Sequence, residues 1–258
     1  PQRLTSLDAF RGTIMLLMAS GALGIPQVAK NFPDSTVWQF FGHQFEHAEW
    51  VGCTLWDLIQ PAFMFMVGVA LPWSVANRQA RGQSFRTMGG HALRRALLLV
   101  ILAVFLSSAW SKQTNWVFVN VLAQIGLGYP FLFLLAFAKP QTQWLSALGI
   151  LIVYWLAFVL HPLPSQAIDW KAVGVPMDWP HLSGFAAHWE KNTNFAATVD
   201  LWFLNLFPRE SPFIYSGGGY QTLNFIPSIA TMIFGLIVGR LLRSELTISD
   251  KLKRLVIA

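Results

Sequence analysis

Residues 58–77 read LIQPAFMFMVGVALPWSVAN, twenty residues without an Asp, Glu, Lys or Arg. A helix needs about 20 predominantly apolar residues to cross the hydrocarbon core of a bilayer. Five further stretches are equally free of charge: 12–29, 96–111, 113–138, 140–168 and 211–239. The stretch 96–111 is short alone and becomes adequate when Arg94 and Arg95 snorkel to the interface. These runs exceed barrel strands and lack their alternation. The expected fold class is all-α: a polytopic membrane helical bundle of six transmembrane helices, with a seventh beginning at Leu255-Val256-Ile257.

Composition agrees. The 258 residues are 54% hydrophobic and 12% charged, with a mean hydropathy of +0.48. Soluble domains carry about twice that charge fraction. Twelve Trp and 21 Phe add apolar surface that a soluble chain of this size could not cover. The single cysteine, Cys53, excludes a disulfide framework and a Cys-cluster metal site. The segment 1–258 is read as one transmembrane domain that continues past Ala258, without an internal repeat.

The net charge of +6 would suggest nucleic acid in a soluble protein, but its distribution follows topology. Of the 18 bases, 13 fall in the N-terminal segment, the 78–95 connection, Lys139 and the segment after 239. The other five share the opposite side with nine of the 12 acids. The positive-inside rule then places both ends in the cytoplasm and gives no role to nucleic acid. Two non-cytoplasmic loops are large, 30–50 and 161–210. Loops of the second length usually close a site or bind a ligand.

Several constellations could carry chemistry. Ser6-Leu7-Asp8-Ala9-Phe10-Arg11-Gly12 opens the first span: Asp8 suits a helix N-terminus, and Arg11 either pairs with it at i,i+3 or faces a phosphate. In the segment 45–58, His47 stands at the membrane edge and Asp57 ten residues on. An ionisable group in a span needs a partner or a water-filled cavity, and a carboxylate near an imidazole fixes its tautomer for general-base work. The stretch His43-Gln44-Phe45-Glu46-His47 matches the H-x-x-E-H zinc pattern, but it needs a distal carboxylate and lies in an interfacial aromatic belt, so no metal is expected. The basic 78–95 connection suits anionic lipid headgroups, and Arg94 and Arg95 are best placed for a phosphorylated cofactor. The glycine triplet 217–219 leads into a span with Asn224, Pro227, Ser228 and Thr231, polar groups suited to helix packing or substrate contact. His161, His181 and His188 read as surface residues of a wet loop.

Taken together, Arg3 through Gly12, His47-Ala48-Glu49-Trp50-Val51-Gly52, Thr54 through Leu58, Asn120 through Tyr129 and Asn224 through Thr231 resemble the heparan-α-glucosaminide N-acetyltransferase family, whose bacterial members are often described only as a domain of unknown function of the DUF5009 type. The chain departs from the family pattern at Gly21-Ala22, where an asparagine is common, and at Leu122-Ala123-Gln124, in place of Leu-Gln-Arg. The resemblance implies a multi-pass enzyme of a bacterial inner membrane, and possible homodimer formation. It would move an acyl group, acetyl above all, from cytosolic acetyl-CoA to an amino sugar or glycan on the far side. His47 matches the family's catalytic histidine, acting as general base or as acyl carrier, with Asp57 orienting it. Arg11, Arg94, Arg95 and Asp8 would face the cofactor, and Trp50, Asn224 and Ser228 the acceptor. Composition alone suits equally a transporter or channel built around an intramembrane Asp57.

Overall fold

The computed structural model describes residues 5–19, 21–165 and 167–257. Arg3 and Leu4 of the first motif and Ala258 lie outside them. Among the described residues the regular structure is entirely helical.

The chain runs through α1 (Thr5–Ala19), α2 (Ile25–Lys30), α3 (Thr36–Gln44), α4 (Ile59–Ala80), α5 (Phe85–Ser108), α6 (Val121–Leu135) and α7 (Pro140–Val159). It continues through α8 (Phe195–Phe203), α9 (Phe225–Arg243) and α10 (Ile248–Ile257). Side-chain oxygens of Ser35, Ser84, Asn120 and Asn194 cap α3, α5, α6 and α8 by accepting from backbone N–H groups one turn on.

Four helical segments are long and apolar enough to cross a membrane: Trp56–Ala80, Phe85–Ser108, Pro140–Val159 and Thr222–Arg243. These contain α4, α5, α7 and α9. At the other two charge-free stretches the helix is shorter than the stretch. The first breaks after α1, where Gly21, Leu23 and Gly24 all take left-handed φ. The fourth forms helix only from Val121, and α6 ends at Leu135. Residues 255–257 lie in the last turn of α10, which also carries Asp250, Lys251, Lys253 and Arg254.

The core is built on the crossing of α4 with α9. A Cβ on Gly68 would meet the Met232 carbonyl, one on Gly235 the Phe65 carbonyl, and one on Gly239 the Val69 carbonyl. Three glycines therefore bring the two backbones together, as small residues do between membrane helices. Met64, Met232, Ile233 and Leu236 close this contact, and Leu132 of α6 joins it. Exposed side chains such as Leu97, Ile101 and Phe105 on α5, and Leu145, Ile152 and Trp155 on α7, form the apolar exterior that a bilayer solvates.

The loop 161–210 packs against α7 through residues 184–189 and α8. Its anchor is Glu190, 1% exposed. Its Oε2 accepts from the Leu182 N–H at 2.6 Å, and its Oε1 from Trp179 Nε1 and the Lys191 N–H. The Lys191 ammonium rests 4.5 Å from the Trp179 ring centre. The loop histidines, read from sequence as solvated, join this fabric. His188 Nδ1 lies 3.0 Å from the His161 carbonyl, His161 Nε2 3.1 Å from Thr198 Oγ1, and His181 Nδ1 3.5 Å from Glu190 Oε2.

Candidate functional site

His47 and Asp57 meet. The chain after α3 turns back on itself over residues 45–55, so that the residue just past that helix faces the one just before α4. His47 Nδ1 lies 2.7 Å from Asp57 Oδ1. Asp57 Oδ2 accepts from the backbone N–H groups of Thr54 (2.9 Å) and Ala48 (3.2 Å), with the Thr54 hydroxyl 3.0 Å away. A carboxylate so supplied with donors is an acceptor toward the imidazole. In the neutral ring Nδ1 therefore carries the proton and Nε2 the lone pair. The His47 side chain is 57% exposed, open to a reactant, and its ring meets Trp56 and Tyr220 edge-on. His43 stands in the last turn of α3 and His47 beyond its end, so the helical spacing of the H-x-x-E-H pattern is not formed.

Three chambers adjoin in a row, and this pair lines the central one. An inner chamber of about 460 Å3 holds Arg11, Arg95 and Tyr129 at polar positions, with apolar walls from Met15, Met66 and Leu99. The Arg95 guanidinium is held 4.9 Å over the Tyr129 ring. A central chamber of about 500 Å3 contains His47, Asp57, Gln60, Asn224 and Ser228. Met18 and Val121 line both, so the two adjoin. An outer chamber of about 510 Å3 is walled by Trp50, Tyr154, Phe158, Trp189 and Tyr220. Asp57, Tyr220 and Asn224 line both it and the central chamber.

Polar groups buried among apolar helices fix the central chamber's wall. Gln124 is fully buried; its Oε1 accepts from Gln60 Nε2 and lies 2.8 Å from the Ser228 hydroxyl, and its Nε2 donates to the Val119 carbonyl. Asn224 Oδ1 lies 3.4 Å from the Tyr154 hydroxyl. Trp50 Nε1 donates to the Trp189 carbonyl at 3.0 Å, which pins the indole. Gly219, at φ +75°, abuts that indole and brings Tyr220 round to His47. Burial and the nearby Asp57 charge push the Tyr220 phenol above its ordinary value.

The sequence-derived residues thus fall into groups. Arg11 and Arg95 share the inner chamber, His47, Asp57, Asn224 and Ser228 the central one, and Trp50 belongs to the outer one. Arg94 is exposed on α5, and Asp8 is half-buried on α1; neither lines these chambers. Sequence reasoning gave no role to Gln60, Thr54, Glu190 or Gln221. A glutamine inside an apolar run was a usable signal for Gln60 and Gln124; nothing in the loop pattern marks Glu190.

Residues 3–165, which include His47, Asp57, Arg11 and Arg95, match the profile of a family described as "Domain of unknown function (DUF5009)". The chain belongs to the DUF5009 family. It is also similar to human heparan-alpha-glucosaminide N-acetyltransferase, at 32% identity over 153 residues, which is 55% of this chain and 20% of that protein. The mouse protein of the same name is 26% identical over 219 residues, 72% of this chain and 31% of its own length. The DUF5009 chain therefore spans between about a fifth and a third of the relatives it matches. The matched DUF5009 segment ends at 165, before Trp189, Tyr220, Asn224 and Ser228.

Proposed function

We propose that this DUF5009 protein is a membrane acyltransferase whose domain, residues 1–258, moves an acetyl group from acetyl-CoA to an amino sugar or glycan across a bacterial inner membrane. Both ends of the chain face the cytoplasm in this reading, in keeping with the concentration of bases on that side. Arg11 and Arg95 receive the negatively charged end of the donor, as arginines do with phosphates. The acyl arm passes Met18 and Val121 to reach His47. The imidazole Nε2 then takes a proton from the acceptor as its nitrogen or oxygen attacks the thioester carbonyl. Asp57 holds the ring and stabilises the imidazolium. General-base assistance of this kind contributes roughly 10²–10⁴-fold.

The observation that carries this reading is the row of adjoining chambers with the His47–Asp57 pair at the middle one. The similarity to named N-acetyltransferases supports it. The same row of chambers also suits a conduit, which keeps a transporter with an Asp57 site as the second reading.

The test uses membranes carrying the full-length protein, wild type and His47→Ala at matched levels. Labelled acetyl-CoA is supplied on the cytoplasmic side, with glucosamine and cell-envelope glycans as acceptors. Transfer that disappears in His47→Ala supports the enzyme and its base. Transfer that survives overturns the role of His47. Solute flux without transfer, and no stabilisation by CoA, favours the transporter. Label retained on the wild-type protein but absent from His47→Ala distinguishes an acyl-histidine intermediate from direct transfer.

A further inference from the structure

The outer chamber has a chemical character that distinguishes one class of acceptor from another. Its faces are aromatic: Trp50, Trp189, Tyr154, Phe158 and Tyr220. Its charged lining residues are Glu49 and Asp57, and no Lys, Arg or His lines it among the described residues. Lys191, in the loop 161–210, is committed to the Trp179 ring. Gln221 also lines the chamber; it is 5% exposed, and its Nε2 has no hydrogen-bond partner among the described residues. A buried amide donor without an acceptor is costly unless a ligand supplies one.

Each feature calls for a part of one ligand. Aromatic faces attract the C–H face of a saturated ring and a cation set above them. Carboxylates attract an ammonium and repel sulfate, phosphate or a second carboxylate. The Gln221 amide needs a neutral oxygen such as a hydroxyl.

Resting on the acyltransferase reading above, we propose that the outer chamber selects an amino sugar that enters as an ammonium ion and bears no neighbouring anionic group, with Glu49 as the specificity-determining residue. The ammonium releases one proton to water to become the nucleophilic amine. Its nitrogen forms the C–N bond as the thioester C–S bond breaks, His47 takes the second proton from nitrogen, and the departing sulfur receives it. An ammonium and an acetyl thioester become an acetamide, a thiol and one free proton. The selection is electrostatic, and an exposed carboxylate such as Glu49 acts through a screened interaction, so its effect is graded rather than absolute.

The experiment measures acetyl transfer from acetyl-CoA to glucosamine and to glucosamine 6-sulfate, with wild type, Glu49→Gln and Glu49→Lys in membranes. The expected wild-type preference is for glucosamine. Glu49→Gln raises its KM roughly threefold to tenfold while the KM for acetyl-CoA stays put. Glu49→Lys narrows or reverses the preference. Equal use of both sugars by wild type, or an unchanged preference in both variants, overturns the proposal while leaving His47-dependent transfer intact. Tryptophan fluorescence titrated with the two sugars reads the same preference without turnover. A chamber that binds both equally overturns the proposal there, whereas a charge preference without any transfer supports it and moves the failure to the acyltransferase reading.

Discussion

Asp57 grips His47 from one side only: its Oδ1 faces Nδ1 at 2.7 Å while its Oδ2 is occupied by two backbone N–H groups. This arrangement fixes which imidazole nitrogen is protonated. In Asp57→Asn the amide nitrogen can turn toward Nδ1 and favour the opposite tautomer, leaving Nε2 without a lone pair. The expected result is a fall in kcat of roughly a hundredfold or more, with acceptor and donor KM changed far less. Asp57→Glu, which keeps the charge and alters its reach, should recover part of the loss. A fall in KM-dependent terms alone would show that Asp57 binds substrate and does not orient the base.

Arg95 and Arg94 are adjacent in sequence yet differ in placement. Both are exposed on α5, but Arg95 lies over Tyr129 and lines the inner chamber, whereas Arg94 lines none of the three chambers. The donor's phosphates should therefore depend on Arg95. Arg95→Gln is expected to raise the KM for acetyl-CoA about tenfold and to leave the KM for S-acetylpantetheine, which lacks the nucleotide phosphates, nearly unchanged. Arg94→Gln should shift neither by more than about twofold. Equal effects on both donors would remove phosphate recognition from Arg95.

How far the sequence reveals this molecule follows from the range of each signal. Charge-free runs of bilayer length report four spans well, because hydropathy is a local property. They overestimate helix at 21–24, where left-handed backbone breaks the chain, and at 113–120, where helix begins only at the Asn120 cap. His47 and Asp57 were legible as a pair of candidates because an acid at a span's edge is expensive. Their contact depends on the turn over 45–55, which no periodicity encodes. Tyr220 meets the site through folding of segments far apart in sequence, and Glu49 stands two residues from His47. Their side chains are ordinary for a loop, and only the assembled chamber gives them a role.

Gly219 is a narrow point in that assembly. Its φ is +75°, and a Cβ would stand 2.5 Å from Trp50 Cζ3. Gly219→Ala therefore combines left-handed strain with a clash against an indole pinned by the Trp189 carbonyl. The expected cost is about 1–3 kcal/mol, seen as a lowered Tm, together with a raised acceptor KM as Trp50 and Tyr220 shift. Gly217→Ala, with open space around its position, should leave both close to wild type. If the two variants behave alike, the turn does not position the outer chamber.

Asp200 supplies a pH dependence. It is fully buried on α8, and its Oδ2 accepts from the Thr222 N–H at 2.9 Å, which joins α8 to the start of the segment carrying Asn224. Burial raises its pKa above the ordinary carboxylate value, against the opposing pull of Thr222 and Arg209. The folded chain thus holds the Asp200 proton more tightly than the unfolded chain does. The resulting stability is complete below the unfolded value, about 4, and is lost as pH rises through the folded value. Asp200→Asn keeps an acceptor for Thr222 and removes the titration. Its Tm relative to wild type is therefore expected to increase as pH is raised from about 4 to 8, with the two curves converging at the acid end. Parallel Tm curves across that range would show that Asp200 stays ionised in the folded protein, and that its contact with Thr222 is a charge-assisted one.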